Sequence, residues 1–290
     1  MTLASSLDGP PQTAPRDHIV DVLIAERAPG LSASLAWPVL RPLLYAMLGY
    51  DRARALAEAI RPLSGRAALE LVSRQLDLKL DVRGLERVPP EGRLIVVANH
   101  PTGLADGVAV YDALKGVRPD LCFYANADAH RVAPRFDELL IPVEWVVAKR
   151  TRERTRVTLA LTREAMEAER ALVIFPAGRL ARRTPGGGLS DLAWAPTAPA
   201  LARKYQAPIL PVHLAGPYSG LFHFFDRFSG ELRDITLFHE MLNKRGRAFT
   251  LTFGRPIPPG ALPVDSTEAA LRLKAHVEEV LPVDPERAFA

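Results

Sequence analysis

Cysteine is almost absent: Cys122 is the only one in 290 residues, which excludes a disulfide framework within the chain. It stands in the apolar run Leu121-Cys122-Phe123-Tyr124 and reads as a small buried hydrophobe. No Cys/His spacing resembles a zinc site, so no metal site is expected. The first residues, Met1 to Arg16, lack the charged-then-apolar pattern of a signal peptide. That makes the cytoplasm the default compartment. No segment is a clean membrane span, which needs about 20 predominantly apolar residues. The nearest, residues 31–50, is interrupted by Pro38, Arg41 and Pro42. There is no Gly-x-Ser-x-Gly elbow and hence no sign of a serine nucleophile. There is no internal repeat. Lysine is scarce beside arginine at a net charge of +4. Arginine forks onto phosphate and carboxylate, so the balance suits anionic substrates or an anionic membrane surface. Charge alone would also suit nucleic acid, but no aromatic-basic interleaving or recognition motif is present, so none is expected.

What is present alternates. Residues 1–15 are rich in Pro, Ser and Thr and read as a disordered tail. Residues 16–77 form an N-terminal helical region. Residues 78–262 carry strands alternating with helices, and residues 263–290 a last helix and tail. Strands are predicted over 78–82 (an edge strand), 94–98, 121–125, 143–148, 172–175, 209–214 and 249–253. Helices are predicted over 108–114, 132–140, 158–170, 197–205 and 267–280. The fold class is α/β: a mixed, mostly parallel sheet flanked by helices, with an N-terminal helical extension. Within 31–50, Leu40, Leu43, Leu44 and Met47 recur at helical spacing near Trp37 and Tyr45. This segment suits a helix in the membrane interface, or one packed on its own domain.

Residues 96–107 carry the most information. A buried strand runs into Asn99-His100-Pro101-Thr102-Gly103-Leu104-Ala105-Asp106-Gly107. A histidine at the carboxyl edge of a sheet stands where ligands bind in open α/β folds. A carboxylate folding back onto one ring nitrogen would fix the tautomer and free the other nitrogen to take a proton from a hydroxyl or amine. The plainer alternative makes His100 a turn residue and Asp106 a helix cap.

Taken together, several segments resemble the glycerolipid acyltransferase superfamily, the family of 1-acylglycerol-3-phosphate acyltransferase. Asn99-His100 to Asp106 resembles its catalytic block, and Phe175-Pro176-Ala177-Gly178 its acceptor-binding block. Leu210-Pro211-Val212-His213-Leu214 resembles a later strand of that family. The segment from Val143 to Lys149-Arg150 looks like the remaining block, an apolar strand ending in basic residues. Arg83-Gly84-Leu85-Glu86 and Phe253-Gly254-Arg255-Pro256-Ile257 also look familial. The likeness spans about residues 78–259 and rests on the order and spacing of the motifs together.

The resemblance implies that residues 78–262 are an acyltransferase domain with His100 and Asp106 catalytic. Asn99, Thr102, Gly103, Lys149, Arg150, Arg152, Phe175, Pro176, Gly178 and Arg179 would bind substrate. It implies transfer of a fatty acyl chain from acyl carrier protein or coenzyme A to a lysolipid, 1-acyl-glycerol-3-phosphate or a related acceptor, in phospholipid biosynthesis. The thioester is a co-substrate and no cofactor is needed. The protein would sit peripherally on the cytoplasmic face of the inner membrane. The run from Lys149 to Arg156 fits an anion pocket or a solvated helix start.

Two departures bear on the acceptor. Five residues, Pro101 to Ala105, separate His100 from Asp106 where the family usually has four. That form looks like the hemolysin-like branch, which includes ornithine-lipid acyltransferases. Ala177 stands where the acceptor block commonly has Glu, and Arg179-Leu180-Ala181 where it has Thr-Arg-Ser. This weakens lysophosphatidate as acceptor and leaves the transfer step intact. A lyso-ornithine or other amino-acid lipid, or a non-catalytic lipid-binding role on the same fold, are the alternatives. His213 reads as a satisfied core histidine, and His223 and His239 as surface or packing residues. The aromatic stretch 221–225 reads as a loop, either core or touching the bilayer.

Overall fold

The computed structural model describes residues 17–144 and 151–290. The tail expected to be disordered, residues 145–148 of the strand expected over 143–148, and the candidate binders Lys149 and Arg150 lie outside the described residues. Five helices come first: α1 (Ile19–Arg27), α2 (Pro29–Ser32), α3 (Trp37–Leu48), α4 (Tyr50–Ile60) and α5 (Gly65–Leu76). Then follow β1 (Lys79–Arg83), β2 (Leu94–Ala98), α6 (Leu104–Leu114), β3 (Cys122–Asn126), α7 (Asp128–Val132), β4 (Leu140–Val143) and α8 (Arg152–Glu167). β5 (Ala171–Ile174) leads into a short hairpin, β6 (Arg182–Arg183) and β7 (Leu189–Ser190). The rest comprises α9 (Thr197–Tyr205), β8 (Ile209–Ala215), α10 (Gly220–Phe225), α11 (Gly230–Ile235), α12 (Leu237–Leu242), β9 (Ala248–Phe253) and α13 (Ser266–Ala275). A π-helical turn, His276–Val280, extends α13.

Seven strands form one sheet in the order β1-β9-β8-β2-β5-β3-β4. β8, β2, β5, β3 and β4 run parallel, whereas β9 is antiparallel to β8 and β1 follows β9. The sheet is mixed and mostly parallel, as expected, and β1 is an edge strand. All five residues of β2 are buried, because helices cover both faces of its sheet. Leu94, Val96 and Ala98 face a core shared with α1, α4, α5 and α6. Ile95 and Val97 face the other core, shared with α8, α9 and α13. The N-terminal helices are therefore part of one covering layer.

Several boundaries differ from the sequence-based expectation. The helix expected over 132–140 ends at Val132. Pro134 has no amide hydrogen and disfavours helix in the residue before it. β4 then starts at Leu140, ahead of the expected Val143. α8 starts at Arg152 because the Thr151 hydroxyl caps it, accepting from the Arg154 N–H at 3.2 Å. α6 opens at Leu104, so Asp106 lies inside its first turn. The aromatic stretch is a helix, α10, with Phe222 and Phe225 buried and Phe224 exposed. The hairpin, α11 and α12 were not anticipated.

Arg118 ties down the edge of the sheet opposite His100. Its side chain is wholly buried, and its guanidinium donates to both Asp120 oxygens at 2.8 and 2.6 Å. It also donates to the carbonyls of Pro89, Gly92 and Glu169 at 3.0, 2.8 and 3.1 Å. These acceptors lie in the segments leading into β2, β3 and β5. Arg118→Ala would strand them and is expected to lower unfolding free energy by about 3–5 kcal/mol, measured by denaturant titration.

Candidate active site

The strand register builds the site. Val97 pairs with Ile174 across β2 and β5, so His100 and Phe175 emerge side by side at the carboxyl edge. Their rings stack with centroids 4.5 Å apart. The main chain then turns back through Thr102 and Gly103 into α6. Gly103 has φ 99° and ψ −140°, a conformation open to glycine but strained for other residues.

Asp106 lies at the third position of α6 with no exposed surface. One carboxylate oxygen, Oδ2, meets His100 Nδ1 at 2.9 Å and accepts the N–H groups of Thr102 and Gly103 at 2.9 and 3.0 Å. The other oxygen accepts the Thr102 hydroxyl. The bond to Gly103 N–H is also the reach-back half of a capping box. One carboxylate thus serves both as a helix-start group and as the histidine's partner. His100 Nε2 has no hydrogen-bond partner among the described residues.

The main chain of His100 is held as firmly as its ring. Its N–H donates to both Asp191 oxygens at 3.1 and 3.2 Å, and its carbonyl accepts from Ala181 N–H at 2.9 Å. Ala181 and Asp191 flank the β6–β7 hairpin, so the hairpin is clamped to His100 at both ends. Asp191 also accepts Trp194 Nε1–H at 2.9 Å, and its own N–H donates to Glu278 on the π-helical turn at 2.6 Å. Burial pushes the Asp191 carboxyl up to about 6, against the opposing pull of the Trp194 and His100 hydrogen bonds.

The other candidates divide. Asn99 spends its amide on Leu214, donating to the carbonyl at 2.9 Å and accepting the N–H at 2.7 Å, which splices β2 to β8. Thr102 and Gly103 hold Asp106. Phe175, Pro176 and Gly178 form a tight turn closed by Gly178 N–H to Phe175 carbonyl at 2.9 Å, with Pro176 in its second position. Arg179 follows it, exposed, with no hydrogen bond or ion pair among the described residues. Arg152 stands exposed in the first turn of α8, with no bond to the His100 loop among the described residues. His213 is satisfied by the Val277 carbonyl at 3.0 Å. His223 takes the packing alternative, buried against the Tyr218 and Phe222 rings, and the loop expected around it is a helix. Asp191, Trp194 and Glu278 escaped the sequence reading. Nothing in their spacing marks them, since they meet His100 only through the hairpin and α13.

A half-buried histidine paired with a fully buried carboxylate therefore marks the carboxyl edge of this α/β sheet, where ligands bind in open α/β folds. A family model described as "Acyltransferase" matches residues 22–281, and the chain belongs to this family, within the glycerolipid acyltransferase superfamily. It is 30% identical over 200 residues to the lyso-glycine lipid O-acyltransferase of Phocaeicola vulgatus, covering 66% of this chain and 68% of that one. The Bacteroides thetaiotaomicron protein of the same name is 29% identical over 196 residues, with 66% and 70% covered. The crystal structure of the 1-acyl-sn-glycerophosphate acyltransferase PlsC from Thermotoga maritima aligns with 93% of this chain and 98% of its own, at 16% identity and a TM-score of 0.48.

The raised Asp191 carboxyl has a consequence for stability. The folded chain holds this proton more tightly than the unfolded chain. The stability it contributes is full below about pH 4 and is lost as pH rises through about 6. Asp191→Asn is expected to flatten the pH dependence of the melting temperature across that window. Its kcat should fall, because the hold on the His100 main chain weakens. Thermal melts at pH 4.5 and 8 with steady-state assays check both.

Proposed function

We propose that this protein moves a fatty acyl group from a thioester, on acyl carrier protein or coenzyme A, to the hydroxyl of a lysolipid with an amino-acid head group. The observation that carries this is the His100–Asp106 pair with Nε2 left bare. The Nδ1–H bond to Asp106 leaves the Nε2 lone pair as the acceptor. Nε2 takes the hydroxyl proton as that oxygen attacks the thioester carbonyl. Asp106 stabilises the imidazolium that forms. Collapse of the tetrahedral intermediate breaks the carbon–sulfur bond, and the departing thiolate takes the proton back from Nε2. The protein needs no cofactor beyond the thioester for this sequence of steps.

Two observations support the acceptor class. Both curated relatives are named for a lyso-glycine lipid, and Ala177 removes the acidic group of the acceptor block. Arg179, unpaired among the described residues beyond the Phe175 turn, is a candidate for the head group's negative charge, and Lys149 and Arg150 remain candidates from the motif alone.

Peripheral attachment to an anionic membrane, on the cytoplasmic face, is part of the same proposal. α3 and the turn before it expose Leu35, Val39, Leu43 and Met47 at four-residue steps, at 101%, 78%, 69% and 42%. Arg41 supplies a positive charge beside them. Among the described residues no helix is long and apolar enough to cross a membrane.

The test supplies purified protein with labelled acyl-carrier protein or acyl-coenzyme A and with lyso-glycine lipid, lyso-ornithine lipid or lysophosphatidate. Transfer to an amino-acid lysolipid is expected, falling by about 10²–10⁴-fold in His100→Ala without loss of folding. Residual activity within about tenfold of wild type would remove His100 as the base. Preference for lysophosphatidate would return the acceptor to the glycerophosphate class. Val39→Asp with Leu43→Asp should abolish flotation with anionic vesicles and spare transfer to detergent-dispersed acceptor.

A further inference from the structure

A second cluster adjoins the catalytic loop and takes no part in proton transfer. Three rings and two guanidinium groups make a column. The Arg183 guanidinium lies over the Tyr218 ring at 5.5 Å, and Tyr218 stacks on His223 with centroids 4.6 Å apart. His223 meets Phe222 edge-on at 5.3 Å, and the Arg182 guanidinium lies over Phe222 at 4.8 Å. Both arginines belong to the hairpin clamped to His100. On the other side, Ser219, next to Tyr218, donates its hydroxyl to the Thr102 carbonyl at 3.2 Å. The column is therefore held against the His100–Asp106 loop from both directions.

Two of its features are unused by the fold. His223 is 2% exposed, yet neither Nδ1 nor Nε2 has a hydrogen-bond partner among the described residues. Burial lowers its pKa and the Arg182 charge lowers it further, so the ring is neutral and carries one donor and one acceptor. Leaving both buried and unpaired is unfavourable. The second feature is charge. Arg183 has no carboxylate partner among the described residues, and Asp226, which pairs with Arg182 at 3.5 Å, is also bound by Arg233 at 2.9 Å. The cluster keeps a net positive charge.

We propose that Arg183, Tyr218 and His223 form the head-group subsite of the acceptor and that it takes an N-acylated amino acid. This rests on the amino-acid-lysolipid reading above. The carboxylate meets the planar fork of Arg183, which is free on the face away from Tyr218. The amide N–H donates to the unprotonated nitrogen of the neutral His223 imidazole. Tyr218, 47% exposed, is the ring that must swing aside to admit it. A phosphate monoester dianion offers acceptors alone and would leave the imidazole lone pair unpaired. The subsite thus selects an amide-linked carboxylate over a phosphate by hydrogen-bond type as well as charge.

Calorimetry on the full chain tests this with N-octanoylglycine, its uncharged amide and octyl phosphate as probes. N-octanoylglycine should bind most tightly. Arg183→Ala should weaken it by about tenfold or more, the loss expected for a charged hydrogen bond. His223→Phe should weaken it similarly while the melting temperature holds or rises, because an unpaired buried polar group is removed. His223→Asn, which keeps a donor and an acceptor, should recover part of the affinity. In transfer assays both losses should appear in the acceptor KM and leave kcat nearly unchanged. No binding of N-octanoylglycine, equal affinity for octyl phosphate, or variants that bind like wild type would each overturn the subsite. Binding that depends on Arg183 and His223 without transfer to amino-acid lysolipids would instead overturn the proposed reaction and leave the subsite standing.

Discussion

A carboxylate with no exposed surface organises this molecule's chemistry. The carboxyl group of Asp106 must find hydrogen-bond partners for its oxygens, since leaving them buried and unpaired is strongly unfavourable. Four donors occupy them: the His100 ring, the N–H groups of Thr102 and Gly103, and the Thr102 hydroxyl. To deliver those donors the chain must turn sharply between β2 and α6, and the positive φ of Gly103 makes that turn. The five-residue spacing from His100 to Asp106 is the length of chain the turn consumes. The histidine's orientation is thus a by-product of satisfying a buried carboxyl group.

The second layer of support is less obvious and equally physical. A ring fixed by one bond could still swing with its backbone. The β6–β7 hairpin prevents this by gripping the His100 N–H through Asp191 and its carbonyl through Ala181. Glu278 passes the same constraint back to the π-helical turn after α13, where Lys274 pairs with it at 2.6 Å. The hairpin therefore does three things: it holds His100, carries Arg182 and Arg183, and links the site to the C-terminal helix. A site geometry made this way depends on segments nearly 180 residues apart.

Patterns of short range were readable in the linear chain. β2 shows as a continuous apolar run because helices cover both its faces, and α9 was placed at its observed bounds from periodicity. His100 and Asp106 stand close in sequence, so their pairing needed no knowledge of the fold. Boundaries governed by a single capping or breaking residue were read less well. Thr151 starts α8 earlier than its apolar periodicity suggests, and Pro134 splits what looked like one helix. The helix α10 looked like a loop because its six residues are mostly aromatic, with no polar face to reveal a period.

By itself the sequence determined the class of fold, the family and the closeness of His100 to Asp106, because each rests on local hydrophobic pattern or on motifs within one turn of chain. The tertiary structure alone decided which candidate side chains already have partners within the fold. Asn99, Thr102 and Gly103 look alike in a motif, yet their polar groups are consumed in bracing β8 and Asp106. Asp191 and His223 look like ordinary residues, yet one grips the His100 main chain and the other lies buried against Tyr218 and Phe222 with both nitrogens unpaired among the described residues. The reason is the same in each case: what a polar atom is free to do depends on which partners reach it, and those partners arrive from distant segments through the sheet and the hairpin.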